Sequence, residues 1–253
     1  MKISSPRSWA ERLSRGKTIW RHLPPEFDRA PLLVSPDAAL QLLKPGERAF
    51  DPMLLRFCDE HVKKGSVVWD VGANVGIFTI AAAQRGGEVL AIEPDVFLYS
   101  LLCKTQGHRA NQHLSFEPLC AAIAAKPGTA RLAIAERGRA SNFLEKFDGR
   151  SQTGGVRSTF LVPVLTLDLL LQEKQNPALV KIDVEGAEAE VLEGATAVLS
   201  EARPTILIEV GPDTNESVTN RLKKFDYHLS DYESGHEIHD GDGSFANILA
   251  RPE

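Results

Sequence analysis

Five acidic residues sit where an apolar run stops: Asp70 in Val-Val-Trp-Asp-Val, Glu93 in Ala-Ile-Glu-Pro-Asp, Asp183 and Glu185 in Lys-Ile-Asp-Val-Glu-Gly, and Glu209 in Ile-Glu-Val. Open α/β sheets bind ligands beyond the carboxyl ends of their strands, so carboxylates repeated there could grip hydroxyls, attract cations or accept protons. After Asp70 comes Gly72-Ala73-Asn74-Val75-Gly76. Gly72 and Gly76 let backbone amides approach a ligand and let helix and strand pack closely. A dinucleotide fingerprint carries a glycine where this chain has Asn74, because the backbone there must reach a pyrophosphate. A diphosphate is therefore disfavoured, and Asp70 would repel it. A carboxylate suits ammonium or sulfonium charge instead, and an acid about 20 positions after such a turn, here Glu93, suits ribose hydroxyls. S-adenosylmethionine offers all of these, so Asp70, Gly72, Ala73, Asn74, Gly76 and Glu93 are expected to hold it, with Asp70 and Glu93 converging on the donor.

The elements that must position these residues alternate. A strand over 67–71 precedes a helix over 75–85 stopped by Gly86-Gly87, then come a strand over 88–93 and a helix over 96–106 stopped by Gly107, a βαβ progression. A third strand is expected over 114–123. Residues 129–135 and 157–164 then alternate like two antiparallel strands, an inserted hairpin whose polar, glycine-containing tip, 136–155, reads as a mobile loop or a lid. Thr166 or Asp168 should cap a helix near 167–173, and Asp168 reads as a cap rather than a catalyst. A fourth strand over 179–183, a helix over 187–200, a fifth strand over 205–210, a helix near 215–225 and strands near 226–231 and 246–250 complete the pattern.

The stretches D-V-G-A-N-V-G (70–76), A-I-E-P-D (91–95), V-P-V-L-T-L-D (162–168), K-I-D-V-E-G-A-E (181–188), V-L-E-G-A (191–195) and I-E-V (208–210) resemble, in family order, the signatures of the FkbM methyltransferases. The resemblance spans roughly residues 47–250, and K-I-D-V-E-G-A-E is its specific part. It implies an α/β, Rossmann-like class I methyltransferase fold: a seven-stranded, mostly parallel sheet with helices on both faces and a reversed last strand, here with the inserted hairpin and an N-terminal helical extension. It also implies transfer of a methyl group from S-adenosylmethionine to a hydroxyl, often on a sugar or a polyketide, and it leaves the acceptor unnamed; a saccharide, glycolipid or secondary metabolite is the acceptor class expected here.

An alcohol is a poor nucleophile at neutral pH, so the acceptor needs a carboxylate base or a metal that favours the alkoxide. Asp183, Glu185 and Glu209 are the catalytic candidates. Two readings compete: Asp183 or Glu185 acts as base while the others orient hydroxyls, or Asp183 and Glu209 hold a divalent ion such as magnesium, which keeps several waters and so leaves little trace in sequence. Glu185 and Glu188 could instead offset the dipole of the following helix, and Lys181 should reach solvent or pair with an acid. The loop 235–243 could bring His236 or His239 to the acceptor. A nicotinamide-dependent oxidoreductase and a non-catalytic cofactor-binding assembly module are the rival functions. Asn74 weighs against the first and the acids against the second.

The 253 residues suit one α/β domain over 47–253 preceded by a basic extension and connector over 1–46. A net charge of −5 gives no general attraction for nucleic acid, so a small-molecule or glycan acceptor is expected. Cys58, Cys103 and Cys120 lack metal or redox spacing and are expected to be reduced and mostly buried in a cytoplasmic protein. Within 1–23, basic residues alternate with Trp9, Leu13, Ile19 and Trp20, like an amphipathic helix folded over the domain or lying on an anionic membrane. Oligomeric state is not legible.

Overall fold

Near-continuous apolar runs give the central strands two buried faces, and that pattern organises the structure. The computed structural model describes residues 6–144, 155–239, 242 and 245–253. The N-terminal elements are α1 (Pro6–Leu13), β1 (Ile19–His22), β2 (Pro31–Val34) and α2 (Pro52–His61). The first half of the α/β core follows as β3 (Val67–Val71), α3 (Ile77–Gln84), β4 (Glu88–Ile92), α4 (Val96–Gln106) and β5 (Phe116–Leu119). An insertion of β6 (Ala122–Ile123), β7 (Gly128–Ala135), β8 (Phe143–Leu144) and β9 (Val156–Leu165) comes next. The second half comprises α5 (Leu167–Glu173), β10 (Leu179–Ile182), α6 (Glu188–Glu193), β11 (Thr205–Glu209), α7 (Asn215–Lys223), β12 (Tyr227–Asp231) and β13 (Asn247–Pro252).

Seven strands form one sheet in the order β12-β13-β11-β10-β3-β4-β5. The pairs from β11 across to β5 are parallel, whereas β13 runs antiparallel to both neighbours. This is the expected architecture with its reversed last strand. Val68, Val89, Leu179 and Leu207 face the layer containing α2, α3 and α4, while Trp69, Val71, Ile182 and Ile208 face the layer of α5, α6 and α7. Order reverses between β3 and β10, and the ligand crevice of an open α/β sheet lies at that switch point.

The insertion is larger than a hairpin. β7 and β9 pair antiparallel as anticipated, from Gly128↔Val164 to Ala135↔Val156, but β6 and β8 flank them in a separate four-stranded sheet. The single strand expected over 114–123 is therefore split, with its first part in the main sheet and Ala122–Ile123 in the second. The single helix expected over 187–200 is also broken. A Cβ on Gly194 would lie 2.4 Å from the Ala124 carbonyl oxygen, so α6 ends against the insertion and the chain resumes as a π-helix over Val198–Ala202. Of the tip 136–155, residues 145–154 lie outside the described residues.

The N-terminal region divides at Gly16, whose φ of 66° lies in the left-handed region and marks the turn that ends α1. Trp9 and Leu13 are 59% and 63% exposed, so these two do not bury against the domain. From β1 onward the connector is core: Leu23, Phe27, Leu32 and Val34 are buried in the cluster that contains Phe57, Phe78 and Leu101. Each such side chain contributes on the order of 1.5–3 kcal/mol. Cys58 is buried, Cys103 and Cys120 are half-buried, and all three are free thiols. No helix among the described residues is long and apolar enough to cross a membrane.

Candidate active site

The turn between β3 and α3 has its shape because no side chain fits there. Gly72 has φ 81°, and a Cβ on it would lie 1.9 Å from the backbone oxygen of Asp183 on the neighbouring strand end. Asn74 also adopts positive φ, 53°, which asparagine tolerates better than most residues. Its N–H donates to Glu93 Oε2 at 2.8 Å, and the N–H of Asp95 donates to Glu93 Oε1 at 2.8 Å. Both carboxylate oxygens are thereby aimed by backbone, leaving lone pairs for hydroxyls. Asn74 Oδ1 is buried without a hydrogen-bond partner among the described residues, an acceptor suited to a cationic N–H donor.

Burial raises the Glu93 carboxyl to about 8, although bonds from the Asp95 and Asn74 amides pull the other way. The ordinary value is 4.5, so over the intervening range the folded protein keeps a proton that the unfolded chain has lost. The associated stability is complete below the lower value and is lost as pH rises through the upper one. The melting midpoint of ligand-free protein should accordingly fall between about pH 5 and pH 8, and fall less steeply in Glu93→Gln. Identical slopes in differential scanning fluorimetry would show that Glu93 does not titrate there.

Asp70 corrects the expectation built on it. Strand parity sends its side chain to the α3 side, where it is fully buried: Thr79 Oγ1 donates to Asp70 Oδ2 at 2.6 Å and Lys181 Nζ lies 3.4 Å from Oδ1. It lines neither cavity of the site, unlike Glu93, and its polar neighbours are Thr79 and Lys181 rather than open space. Burial raises its carboxyl above the ordinary value, with the Lys181 charge opposing that shift. Lys181 Nζ also lies 3.3 Å from Asp183 Oδ2 and 3.3 Å from the Gly72 carbonyl oxygen. Burial disfavours its charge, but the carboxylates of Asp183 and Asp70 outweigh this and raise it. One ammonium thus fastens the glycine turn to the end of β10.

Two cavities meet at this fastening. The first, open to solvent and about 630 Å³ in extent, runs from Glu93, Ala121 and Phe143 to Asp183, Val184 and Glu185. The second, about 800 Å³, lies between α3 and residues 38–54 and includes Leu42, Asp51, Ile77 and Phe78. Gly72, Asn74, Ala140 and Asp183 border both. The three acids proposed for chemistry are therefore not equivalent. Asp183 stands at the junction, Glu185 lines only the first cavity on a backbone of φ 54°, and Glu209 lines neither, but a recess of about 260 Å³ that adjoins the second cavity at Asp51, Leu54, Lys181 and Asp183. Among the described residues no group of three or more His, Cys, Asp or Glu side chains is arranged to hold a metal ion.

Several remaining sequence candidates have structural roles. Thr166 caps α5 through Leu169 N–H at 3.0 Å, while Asp168 accepts from Val198 N–H at 3.0 Å. Glu188 is buried and accepts from Gly186 N–H at 2.8 Å and from Thr214 Oγ1 at 3.0 Å. His236 stacks on Phe245 with Nε2 3.3 Å from Asp242 Oδ2, and neither it nor His239 lines the two cavities. Sequence reasoning passed over Arg139, Asn142 and Phe143, which wall the first cavity from the insertion. The one local signal was the length of a polar excursion between two alternating runs.

A family model described as the methyltransferase FkbM domain matches residues 70–233. No curated protein matches the chain in sequence. Among solved structures, the chain resembles the methyltransferase FkbM from Methylobacillus flagellatus KT at 16% identity and TM-score 0.49, over 89% of this chain and 58% of that one. It therefore spans a little over half the length of that relative. It also resembles the T. thermophilus 16S rRNA N2 G1207 methyltransferase, solved with AdoMet and guanosine, at 14% identity and TM-score 0.52, over 94% of this chain and 50% of that one. At such identities the likeness to solved structures concerns the fold.

Proposed function

The chain belongs to the FkbM family of S-adenosylmethionine-dependent methyltransferases, and on that footing we propose that it methylates a hydroxyl of a small-molecule or glycan acceptor, such as a saccharide, glycolipid or secondary metabolite. The observation carrying this reading is the junction at Asp183, where a carboxylate held by Lys181 borders both cavities beside the glycine turn. Glu93 would take the ribose hydroxyls of the donor, and Asn74 Oδ1 its ammonium group. When bound, S-adenosylmethionine supplies an electrophilic methyl group on a sulfonium.

The residues of this chain do the remaining work. Asp183 accepts the hydroxyl proton or orients the hydroxyl, Glu185 supports it from the first cavity, and Lys181 fixes Asp183. Positioning counts for much of the rate, since bringing two reactants together in the right geometry lowers the barrier of a displacement by roughly 7–11 kcal/mol. A net charge of −5 and acids around the junction disfavour a polyanionic acceptor such as nucleic acid. Calorimetry should detect binding of S-adenosylmethionine and S-adenosylhomocysteine, and mass spectrometry of cell extracts should show a product heavier by one methylene only where the protein is present. Absence of binding to both ligands, or thermal protection by NAD alone, would sink the proposal.

A further inference from the structure

The wall of the first cavity that comes from the insertion is tied down by charges that the reaction itself does not use. Arg139 Nε donates to Asp37 Oδ2 at 2.9 Å and its Nη1 to Asp95 Oδ2 at 2.5 Å. Asn142 Nδ2 donates to the same Asp95 oxygen at 2.7 Å, and Arg157 grips Asp37 with two bonds of 3.0 and 2.9 Å. Backbone joins in: Arg139 N–H donates to the Asp37 carbonyl at 2.8 Å and Ala140 N–H to that of Ala38 at 3.1 Å. The two carboxylates are almost completely buried, and the Arg139 guanidinium also lies 4.6 Å from the Phe97 ring centre. Glycine at 138 makes the close approach feasible, because a Cβ there would lie 2.9 Å from the Ala38 carbonyl oxygen.

We infer that Arg139 is a positioning residue for the methyl donor: by bridging Asp37 and Asp95 it latches the segment Gly138–Leu144 across the donor cavity and sets how long the donor stays bound. Three observations converge on this. Arg139, Ala140, Asn142, Phe143 and Leu144 line the same cavity as Glu93 and Asn74, on a segment that comes from the insertion rather than from the main sheet. Asp95 carries the latch on its side chain while its own N–H holds the Glu93 carboxylate, so the latch is one residue removed from the proposed ribose contact. Asp37 belongs to the N-terminal segment and joins it through these bonds to the wall of the donor cavity. Without Arg139, Asp37 would keep Arg157 but the buried Asp95 would keep only Asn142, and a buried carboxylate deprived of its cation is strongly unfavourable.

The inference rests on the donor reading above, and the test separates the two. S-adenosylhomocysteine release is timed by stopped-flow fluorescence and its affinity measured by calorimetry for the intact chain, Arg139→Met, Gly138→Ala and Asn111→Ala. Asn111 is the stability control: it is buried away from both cavities and donates to the carbonyls of Pro31 and Thr105 at 2.8 Å each. Arg139→Met is expected to release the ligand at least about 10-fold faster and weaken affinity in proportion, because most changes within one binding interface appear in the off-rate. Gly138→Ala, which keeps every charge, should accelerate release by about 3-fold or more. Asn111→Ala should lower the melting midpoint yet leave release within about 2-fold of the parent. Parent-like release from folded Arg139→Met, or equal acceleration in Asn111→Ala, would overturn the latch while leaving the donor site intact. No binding by the unaltered chain would overturn the donor reading and the latch with it.

Discussion

Asp183→Asn is expected to slow turnover by about 10²–10³-fold while S-adenosylhomocysteine affinity stays within about 3-fold, as befits a group that handles the acceptor proton. Such a loss corresponds to about 3–4 kcal/mol of transition-state stabilisation. Asparagine keeps the shape of the side chain and an acceptor oxygen for Lys181 Nζ, now 3.3 Å away, so the β10 end need not collapse. What disappears is the negative charge at the junction of the two cavities. The neighbouring acids set the scale: Glu185→Gln should cost about 10-fold and Glu209→Gln less than about 3-fold, because Glu185 borders one of the two cavities and Glu209 neither. Steady-state kinetics beside calorimetry decides the matter. A larger loss in Glu209→Gln than in Asp183→Asn would transfer the chemistry to the recess behind the junction and revive the paired-acid, metal-holding arrangement.

Gly72→Ala should abolish donor binding, weakening S-adenosylhomocysteine by 100-fold or more, on the order of 3 kcal/mol, and lowering the melting midpoint. Two penalties coincide. The φ of 81° costs an L-residue roughly 1–2 kcal/mol. The added Cβ would also stand 1.9 Å from the Asp183 backbone oxygen, a separation that no side-chain rotation relieves. The main chain must move, taking with it the Gly72 carbonyl bonded to Lys181 and the turn that presents Asn74 N–H to Glu93. Gly186→Ala isolates the first penalty: φ there is 106°, but nothing lies within 4 Å of the added carbon. It should lower stability modestly and retain binding. Equal effects at the two glycines, seen in paired titrations and melting curves, would mean that backbone strain alone shapes the turn.

The elements legible in the sequence were those whose signal is local. The helix expected over 96–106 is found at Val96–Gln106, because Asp95 accepts from Phe97 N–H at its start and Gly107 follows its last turn. The glycine turn and the acid about 20 positions beyond it, Glu93, were likewise within reach of a window of twenty or so residues, whereas the sheet with its reversed last strand came from the family resemblance and the positive φ of Asn74 was not read. Sequence analysis missed where a second segment intrudes. The Ala124 carbonyl stops α6 at Gly194, and β6 leaves the main sheet to pair with β9, Ala122 opposite Val164.

By itself, then, the chain determined its order of strands and helices, its family motifs and the set of acids near strand ends, since backbone preferences and hydrophobic period act over neighbouring residues. Tertiary structure decided which of those acids meet. Parity fixes that Asp70 and Val68 share a face and that Trp69 and Val71 share the other; helices cover both, but tertiary packing leaves the first cavity beside Val71 and none beside Asp70. Lys181 stands opposite Asp70 in the parallel pair of β10 and β3, which is why a buried cation answers a buried anion across more than a hundred residues. Asp183 gained its place between two cavities, and Asp37 its hold on Arg139, in the same way. Burial removes water as an alternative partner, so charges distant in sequence must find one another, and no local pattern records which ones will.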